Sequence, residues 1–215
     1  MILSPGRGYV FIHIPKTGGT SLALALEARA MKDDLMLGDT PKARRRRRRL
    51  TGATARGRLW KHSTLADIEG LVPAAVLDGL FAFTLVRNPW ARALSYYRWL
   101  RLQGFDHPAV RLAGAESFEG FVTHPETCAA FRAHPYGSYM RGSDGREHCD
   151  AFIRIEAFAQ DARPLTDRLG FALELPHENR SGPQGDYRQA YTPAAAAAVA
   201  EACAEDIARF GYDFG

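Results

Sequence analysis

The sequence predicts an α/β fold, a single domain of 215 residues in which helices flank a central parallel sheet. Three short apolar runs, at residues 9–14, 81–86 and 151–155, are rich in β-branched and aromatic side chains, which is typical of buried strands. Segments of helical composition separate these runs, and parallel strands require such long connections. The length suits one domain, and a share of 46% apolar residues is enough for a hydrophobic core.

The first half of the chain predicts a strand, a glycine-rich turn and a helix, followed by a basic excursion. Pro15 ends the first strand, and residues 20–27 have helix-forming composition. Residues 32–58 are polar and basic with several Gly and Pro, so we interpret them as a long excursion or a frayed helix. A helix over residues 65–80, interrupted near Pro73, leads to the second strand.

The second half of the chain begins with a clear helix start. Asn88 fits an N-cap and Pro89 fits the first helical position. Residues 104–145 are rich in Gly, His and Pro, and only one short helix is assigned there. The helices that we predict beyond the one at Pro89 lie at residues 118–122, 158–169 and 193–209.

Residues 15–21, Pro-Lys-Thr-Gly-Gly-Thr-Ser, lie between the first strand and the first helix and form a candidate anion site. Glycines let the backbone approach an anion, and a helix N-terminus offers N–H groups and a partial positive charge. Lys16 adds a full charge, and Thr17, Thr20 and Ser21 add hydroxyl groups. An ordinary strand-to-helix turn is the alternative interpretation.

This loop differs from the standard nucleoside-triphosphate motif, in which the lysine follows the second glycine. Here Lys16 precedes Gly18 and Gly19, and no aspartate follows the second strand to hold magnesium. Both differences argue against a small-molecule kinase, which we keep as an alternative.

A second candidate anion site follows the second strand. Arg87 stands directly after that strand, and Ser95 lies eight residues later on the predicted helix. The planar guanidinium suits phosphate, and a serine hydroxyl can add one hydrogen bond. A surface arginine is the alternative interpretation of Arg87 alone, but two neighbouring anion sites indicate a ligand with phosphates at both ends.

With these residues in place, the sequence resembles the sulfotransferase superfamily, in particular its carbohydrate-type, family 2-like group. The signature His-Ile-Pro-Lys-Thr-Gly-Gly-Thr-Ser stands at residues 13–21, and residues 83–97 resemble the second signature, which contains Val-Arg-Asn-Pro. Weaker likenesses lie at residues 175–181 with 187–191, and at residues 206–214.

The resemblance implies a P-loop-like nucleotide-binding fold and a co-substrate, 3′-phosphoadenosine 5′-phosphosulfate, with no metal. Lys16 would also stabilise the leaving phosphate oxygen, which makes it a catalytic candidate. By matching position, the resemblance implies three groups of binding residues: Lys16, Thr17, Gly18, Gly19, Thr20 and Ser21 for the 5′-phosphosulfate, Arg87 and Ser95 for the 3′-phosphate, and Asn179 and Ser181 closing over the nucleotide.

His62 is the candidate general base. It stands in Trp60-Lys61-His62-Ser63-Thr64, between the two phosphate motifs, where related sulfotransferases often place a catalytic His or Glu. A neutral imidazole suits proton abstraction at neutral pH. A surface histidine at a helix start is the alternative interpretation, and Glu69 is the reserve candidate.

The net charge of the chain is +4, and its excess of basic residues comes from one segment. Ten Lys and Arg and no acid lie between residues 41 and 62, six of them in the run Arg44–Arg49. We rank a solvated loop first, a surface that attracts an anionic acceptor second, and a nucleic-acid site third, because no nucleic-acid motif accompanies the run.

The sequence therefore predicts a transferase that moves a sulfuryl group to a hydroxyl of an acceptor, in particular a carbohydrate, with anionic carbohydrates among the candidates. The alternative from another class is a non-catalytic nucleotide or polyanion binder on the same fold. Three widely spaced cysteines, the lack of a signal pattern and the lack of a long apolar run lead us to expect a cytoplasmic protein without a transmembrane segment.

Overall fold

A computed structural model of the chain describes residues 1–176 and 186–215. The described part has an α/β architecture with one five-stranded sheet. The strands are β1 (Ile2–Ser4), β2 (Tyr9–Ile12), β3 (Leu35–Met36), β4 (Phe81–Val86) and β5 (Ala151–Arg154). The helices are α1 (Gly19–Ala28), α2 (Pro41–Arg46), α3 (Leu65–Ile68), α4 (Ala74–Asp78), α5 (Pro89–Leu100), α6 (Pro108–Ala115), α7 (Phe118–Thr123), α8 (Pro125–Ala133), α9 (Tyr136–Tyr139), α10 (Phe158–Asp161), α11 (Arg163–Leu169), α12 (Pro193–Ala202) and α13 (Ala204–Phe210).

The sheet is mixed rather than wholly parallel, which corrects the sequence prediction. Its order is β3-β1-β2-β4-β5; β2, β4 and β5 are parallel, whereas β1 pairs antiparallel with both β2 and β3. Only residues 5–8 connect β1 to β2, and a parallel pair would need a connection of a dozen or more residues. The prediction of a parallel core is confirmed for the three strands that the apolar runs indicated.

The chain divides into two compact units, one of Met1–Val86 with Tyr136–Asn179 and one of Arg87–Pro135 with Arg180–Gly215. The first unit contains the sheet, and alternate residues of β2 face opposite sides of it. Phe11 packs with Phe83 and with Leu22 of α1 in one apolar cluster, while Val10 packs with Ile68 of α3 in another. Both faces of the sheet are therefore covered, as the continuous apolar runs predict.

The second unit is helical. Its core contains Trp90 and Tyr97 of α5, Phe121 of α7 and Val199 of α12. Asn88 caps α5 as predicted, since its side-chain oxygen accepts from two backbone N–H groups at the start of that helix.

The segment in which the sequence predicted only one short helix forms four, α6 to α9, and α7 confirms the helix predicted at residues 118–122. Two of its histidines are helix caps: Nδ1 of His107 accepts from the backbone of Ala109, and Nδ1 of His124 accepts from the backbone of Glu126. Each stands directly before a proline at the first helical position. These histidines shape the backbone of the second unit.

The basic excursion contains regular structure. Thr40 caps α2, whose first residue is Pro41, and Arg44–Arg46 form its last turn, where basic side chains stabilise a helix end. Residues 47–50 continue as a short 3-10 turn. The excursion is therefore a small helical element joined to the sheet through β3.

Each of the two helices predicted near the C-terminus is divided in two. The helix expected at residues 193–209 is divided at Cys203 into α12 and α13. The helix expected at residues 158–169 is divided into α10 and α11, because Pro164 lacks an N–H and its ring would clash with the preceding turn. It ends at Gly170 as predicted. Among the helices at residues 1–176 and 186–215, none combines the length and the apolar character needed to cross a membrane.

Candidate active site

The loop between β2 and α1 has an unusual backbone. Lys16 adopts a φ of 67° and is the only non-glycine residue with positive φ among those described, and Gly18 adopts a φ of 90°. A left-handed conformation is disfavoured for a lysine, and such conformations cluster at sites that bind ligands. The conformation therefore marks residues 15–21 as more than a simple turn.

Both glycines of the loop are required by close packing in the first unit. A Cβ on Gly18 would lie 2.1 Å from Cδ1 of Ile155, and a Cβ on Gly19 would lie 2.2 Å from Cδ2 of His13. No other residue fits these two positions without displacing a neighbour. The start of α1 is thus seated directly on side chains that follow β5 and β2.

The hydroxyl groups of the loop have different surroundings. Thr17 is fully buried, and its hydroxyl donates to the carbonyl of Ile14 at 2.9 Å, so this group fixes the shape of the loop. Thr20 and Ser21 are half-buried in the first turn of α1. The backbone N–H of Ser21 donates to the carbonyl of Gly18, whereas those of Gly19 and Thr20 have no acceptor within the helix and can donate to an anion.

The structure brings His62 to this loop. Its Nδ1 lies 2.6 Å from the carbonyl oxygen of His13, and the two imidazole rings meet edge to face with centroids 4.7 Å apart. A carbonyl oxygen only accepts, so Nδ1 of His62 donates and carries the proton of the neutral ring. The lone pair of the neutral imidazole is therefore on Nε2.

Both histidines are neutral in the folded protein. Burial lowers the pKa of His62 to about 3, while the hydrogen bond to the His13 carbonyl opposes this and the nearby Lys61 adds to it. Burial also lowers the pKa of His13 well below its usual value, and His62 contributes to this shift. Neutral His62 is thus the form present at physiological pH.

A rigid turn holds His62 in place. The Ser63 hydroxyl accepts from the backbone N–H of Trp60 and donates to the carbonyl of Arg58. Thr64 then opens α3 with a capping box in which Asp67 is the partner. This local order fixes the direction of the imidazole between two constrained segments.

Glu69, the reserve base, is occupied elsewhere in the first unit. Hydrogen bonds from the Ser143 hydroxyl and from the Ser143 backbone N–H, the latter at 2.7 Å, hold this carboxylate and lower the pKa of Glu69. The geometry therefore favours His62 for proton transfer.

The second anion motif belongs to the second unit. Arg87 is half-buried at the residue that follows β4, and Ser95 is half-buried on α5. In the first unit, β2 and β4 are parallel neighbours with Ile12 opposite Thr84, so the chain leaves both strands at the same edge of the sheet. That edge is where α/β sheets commonly bind ligands.

The C-terminal candidates Asn179 and Ser181 lie outside the described residues. The tyrosines that follow them are part of the second unit's core. The Tyr187 hydroxyl donates to the carbonyl of Phe214 at 2.8 Å, and the Tyr191 hydroxyl donates to the carbonyl of Trp90 at 2.7 Å. The weaker likenesses at the end of the chain therefore correspond, where the structure describes them, to packing residues.

The arginine run is mainly exposed on and after α2. Two of its members contact the preceding segment: Arg46 donates to the carbonyl of Met31, and Arg49 donates to the carbonyl of Lys32. Arg44, Arg45, Arg47 and Arg48 are exposed and form a positive surface on the first unit.

Sequence reasoning missed the buried carboxylate of Glu27 on α1. Both of its oxygens lie within hydrogen-bond distance of the Thr40 hydroxyl, at 2.6 and 2.8 Å, and burial raises the pKa of Glu27. Glu27 also lines a small recess together with His13 and Thr20. The available signal was a single acid at the end of an otherwise apolar helix, at residues 20–28. The contact joins the N-cap of α2 to α1.

Within the described residues, no group of three or more His, Cys, Asp and Glu side chains is arranged to hold a metal ion. A scan against protein-family models and searches of the curated proteins and of the solved structures found no match to this chain.

Proposed function

We propose that this protein is a sulfotransferase that moves the sulfuryl group of 3′-phosphoadenosine 5′-phosphosulfate to a hydroxyl of an acceptor, in particular a carbohydrate. The observation that carries the proposal is the contact of a neutral base with the residue that supports the anion loop. The Nδ1–H of His62 is bonded to the carbonyl of His13, and the His13 ring lies directly against Gly19 at the start of α1, in the loop where Lys16 has a left-handed backbone. The proposal includes the P-loop-like fold of the superfamily.

The loop suits the 5′-phosphosulfate end of the donor. Lys16 supplies a positive charge, and the first turn of α1 supplies N–H donors with the half-buried hydroxyls of Thr20 and Ser21. The buried hydroxyl of Thr17 is used within the loop, so in this proposal Thr17 contributes its backbone, as do Gly18 and Gly19.

The 3′-phosphate is assigned to the other motif. Arg87 would bind it through its guanidinium, with one hydrogen bond from Ser95. Asn179 and Ser181 complete the proposed donor site on the strength of the family resemblance. The parallel pairing of β2 with β4 supports a donor contacted from the ends of both strands.

The proposed reaction is a single in-line displacement. The acceptor oxygen attacks sulfur while the bond between sulfur and the bridging phosphate oxygen breaks, and Nε2 of His62 takes the acceptor's proton. Lys16 stabilises the negative charge that develops on the leaving phosphate. The products are the sulfated acceptor and 3′-phosphoadenosine 5′-phosphate.

The low pKa of His62 in the free protein keeps the ring neutral but also makes it a weak base, because a general base works best with a pKa near the operating pH. Burial and the nearby Lys61 hold the ring neutral, so its lone pair is available before the donor binds. A bound donor brings several negative charges to the same loop, and these raise the pKa of a neighbouring imidazole. His62 thereby becomes a stronger base in the complex than in the free protein.

Replacing His62 tests the proposal. His62→Asn keeps an N–H donor for the His13 carbonyl but removes the base, so we expect turnover to fall by about 10² to 10⁴. Affinity for 3′-phosphoadenosine 5′-phosphate, measured by calorimetry, should change little. Glu69→Gln is the matched control and should retain turnover, whereas near-normal turnover of His62→Asn would remove His62 from the role.

The alternative, a non-catalytic binder of nucleotides or polyanions, is favoured by one observation, the exposed arginines on and after α2. Tight binding of the desulfated nucleotide without transfer to any acceptor would support it. Phosphoryl transfer from ATP that depends on magnesium would instead support a small-molecule kinase.

A further inference from the structure

A half-exposed tryptophan lies beside the candidate base. Trp60 retains 42% of its accessible surface, although tryptophans are on average largely buried. Its indole meets the His62 ring edge to face, with centroids 5.0 Å apart. The Ser63 hydroxyl accepts from the backbone N–H of Trp60, which fixes the backbone from which the indole extends.

The aromatic contacts continue from Trp60 to the anion loop. The ring of His62 is 4.7 Å from that of His13, and the space directly beneath Gly19 is filled by His13. A group that rests on the exposed part of Trp60 is therefore next to the imidazole, on a path of contacts that leads to the start of α1.

An arginine accompanies the indole. The guanidinium of Arg58 lies 5.3 Å from the centre of the Trp60 ring, within the range of a cation–π contact. Arg58 is exposed, and none of the ion pairs found among the described residues involves it. A guanidinium stacked on an aromatic ring still has N–H donors at its edge for an anion.

We propose that Trp60 and Arg58 form the acceptor subsite and that this subsite takes a sugar ring carrying a carboxylate or sulfate. The apolar C–H face of the sugar lies on the electron-rich face of the indole, and the anionic group binds Arg58. Trp60 and Arg58 thereby position a ring hydroxyl near His62 and determine which acceptors are used. The inference rests on the proposed function, since it assigns the acceptor of the same reaction.

Three small probes separate the two contributions. Methyl β-D-glucuronide has a ring and a charge, methyl β-D-glucoside has the ring alone, and gluconate has the charge without a ring. Their affinities are measured by ligand-observed NMR on the protein saturated with 3′-phosphoadenosine 5′-phosphate. This readout does not depend on catalysis.

Substitution of Trp60 should reduce only the part of the affinity that comes from the sugar ring. We expect Trp60→Ala to weaken both glycosides about tenfold, the scale of one stacked ring, and to leave gluconate unchanged. Trp60→Phe should keep most of the affinity. Phe105→Ala is the matched control, because Phe105 is an aromatic residue of similar exposure, 49%, in the second unit.

Substitution of Arg58 should reduce only the part of the affinity that comes from the negative charge of the ligand. We expect Arg58→Ala to weaken the glucuronide and gluconate about fivefold to tenfold and to leave the glucoside unchanged. Arg45→Ala removes the same charge from α2 and should have a small effect on all three probes. Thermal unfolding and binding of the nucleotide verify that each variant is folded.

Unchanged binding of the glucuronide by Trp60→Ala, or no binding of it by the wild-type protein, would overturn the inference. An equal effect of Arg58→Ala and Arg45→Ala would overturn the part assigned to Arg58. Binding that depends on Trp60, in a protein that transfers no sulfuryl group to any acceptor, would support the subsite and refute the proposed function.

Discussion

Replacing Gly18 with alanine tests whether the anion loop depends on its backbone geometry. Gly18 has a φ of 90° at the N-cap of α1, and a Cβ there would lie 2.1 Å from Cδ1 of Ile155. Two separate penalties are therefore expected, one from the backbone conformation and one from the displaced methyl group.

The structure allows the magnitudes to be worked out. A left-handed conformation costs a non-glycine residue about 1–2 kcal/mol. Ile155 can yield only by moving its terminal methyl group, and a side chain forced off its rotamer costs about 0.5–1.5 kcal/mol. We therefore expect Gly18→Ala to lower the free energy of unfolding by about 2–3 kcal/mol, toward the upper end of ordinary point substitutions.

Gly170 provides the matched control. It has a φ of 73°, and no atom lies within 4 Å of the position that its Cβ would take, so Gly170→Ala should show the backbone penalty alone, about 1–2 kcal/mol. Ile155→Val removes Cδ1 and should abolish the steric part in a double variant with Gly18→Ala. The nucleotide should bind Gly170→Ala normally and Gly18→Ala more weakly.

The assay is urea denaturation of the four variants and the wild-type protein, with calorimetry of 3′-phosphoadenosine 5′-phosphate binding. Equal destabilisation by Gly18→Ala and Gly170→Ala would refute the reasoning. If Gly18→Ala lowers the free energy of unfolding by the same amount in the wild-type protein and in the Ile155→Val variant, the assigned contact with Ile155 is refuted.

Three further predictions concern charge. His13 and His62 are neutral when folded but protonate near pH 6.5 when unfolded, so the free energy of unfolding should fall as the pH is lowered from 7 to 5, by up to about 1.4 kcal/mol per pH unit for each imidazole. In urea titrations His62→Gln should lose one such contribution, and an unchanged slope would contradict this. Lys16→Ala and Arg87→Ala should each weaken binding of 3′-phosphoadenosine 5′-phosphate about tenfold or more in calorimetry, since hydrogen bonds to charged groups contribute about 1.5–3 kcal/mol; full affinity in both would discard the two-phosphate arrangement. Replacing Arg44–Arg49 with glutamine should leave turnover on charged and neutral acceptors nearly unchanged, as expected of a solvated surface; a loss confined to the charged acceptor and weakened by salt would contradict this and give the run a part in attracting the acceptor.

The parts of the fold that the sequence predicted well have local causes. β4 is a continuous apolar run, and Asn88 followed by Pro89 is a sufficient helix start. β1 and β3 escaped prediction because they have three and two residues, too few to show a period, and exist through pairing with β2 and with each other. His124 could have been identified as a cap from the proline that follows it.

In the candidate site, too, the sequence predicted the features with local causes and missed those that depend on contacts between distant residues. Glycine spacing between a strand and a helix predicted the loop, and both properties are local. The contact of His62 with His13 joins residues 49 positions apart, so only the folded chain could reveal it. The same holds for the contact of Glu27 with Thr40, which joins residues 13 positions apart.

The first unit is formed by two separate stretches of the chain, and this affects how it folds during synthesis. β4 cannot acquire its partner β5 until residues 87–150 have been made, which takes about 3–13 s at ordinary translation rates. During this interval the nascent chain presents an unpaired, apolar strand edge, the kind of surface that promotes aggregation. We therefore expect β4 to be a principal chaperone-binding segment of the emerging polypeptide, and slower translation beyond Val86 to reduce the yield of native protein.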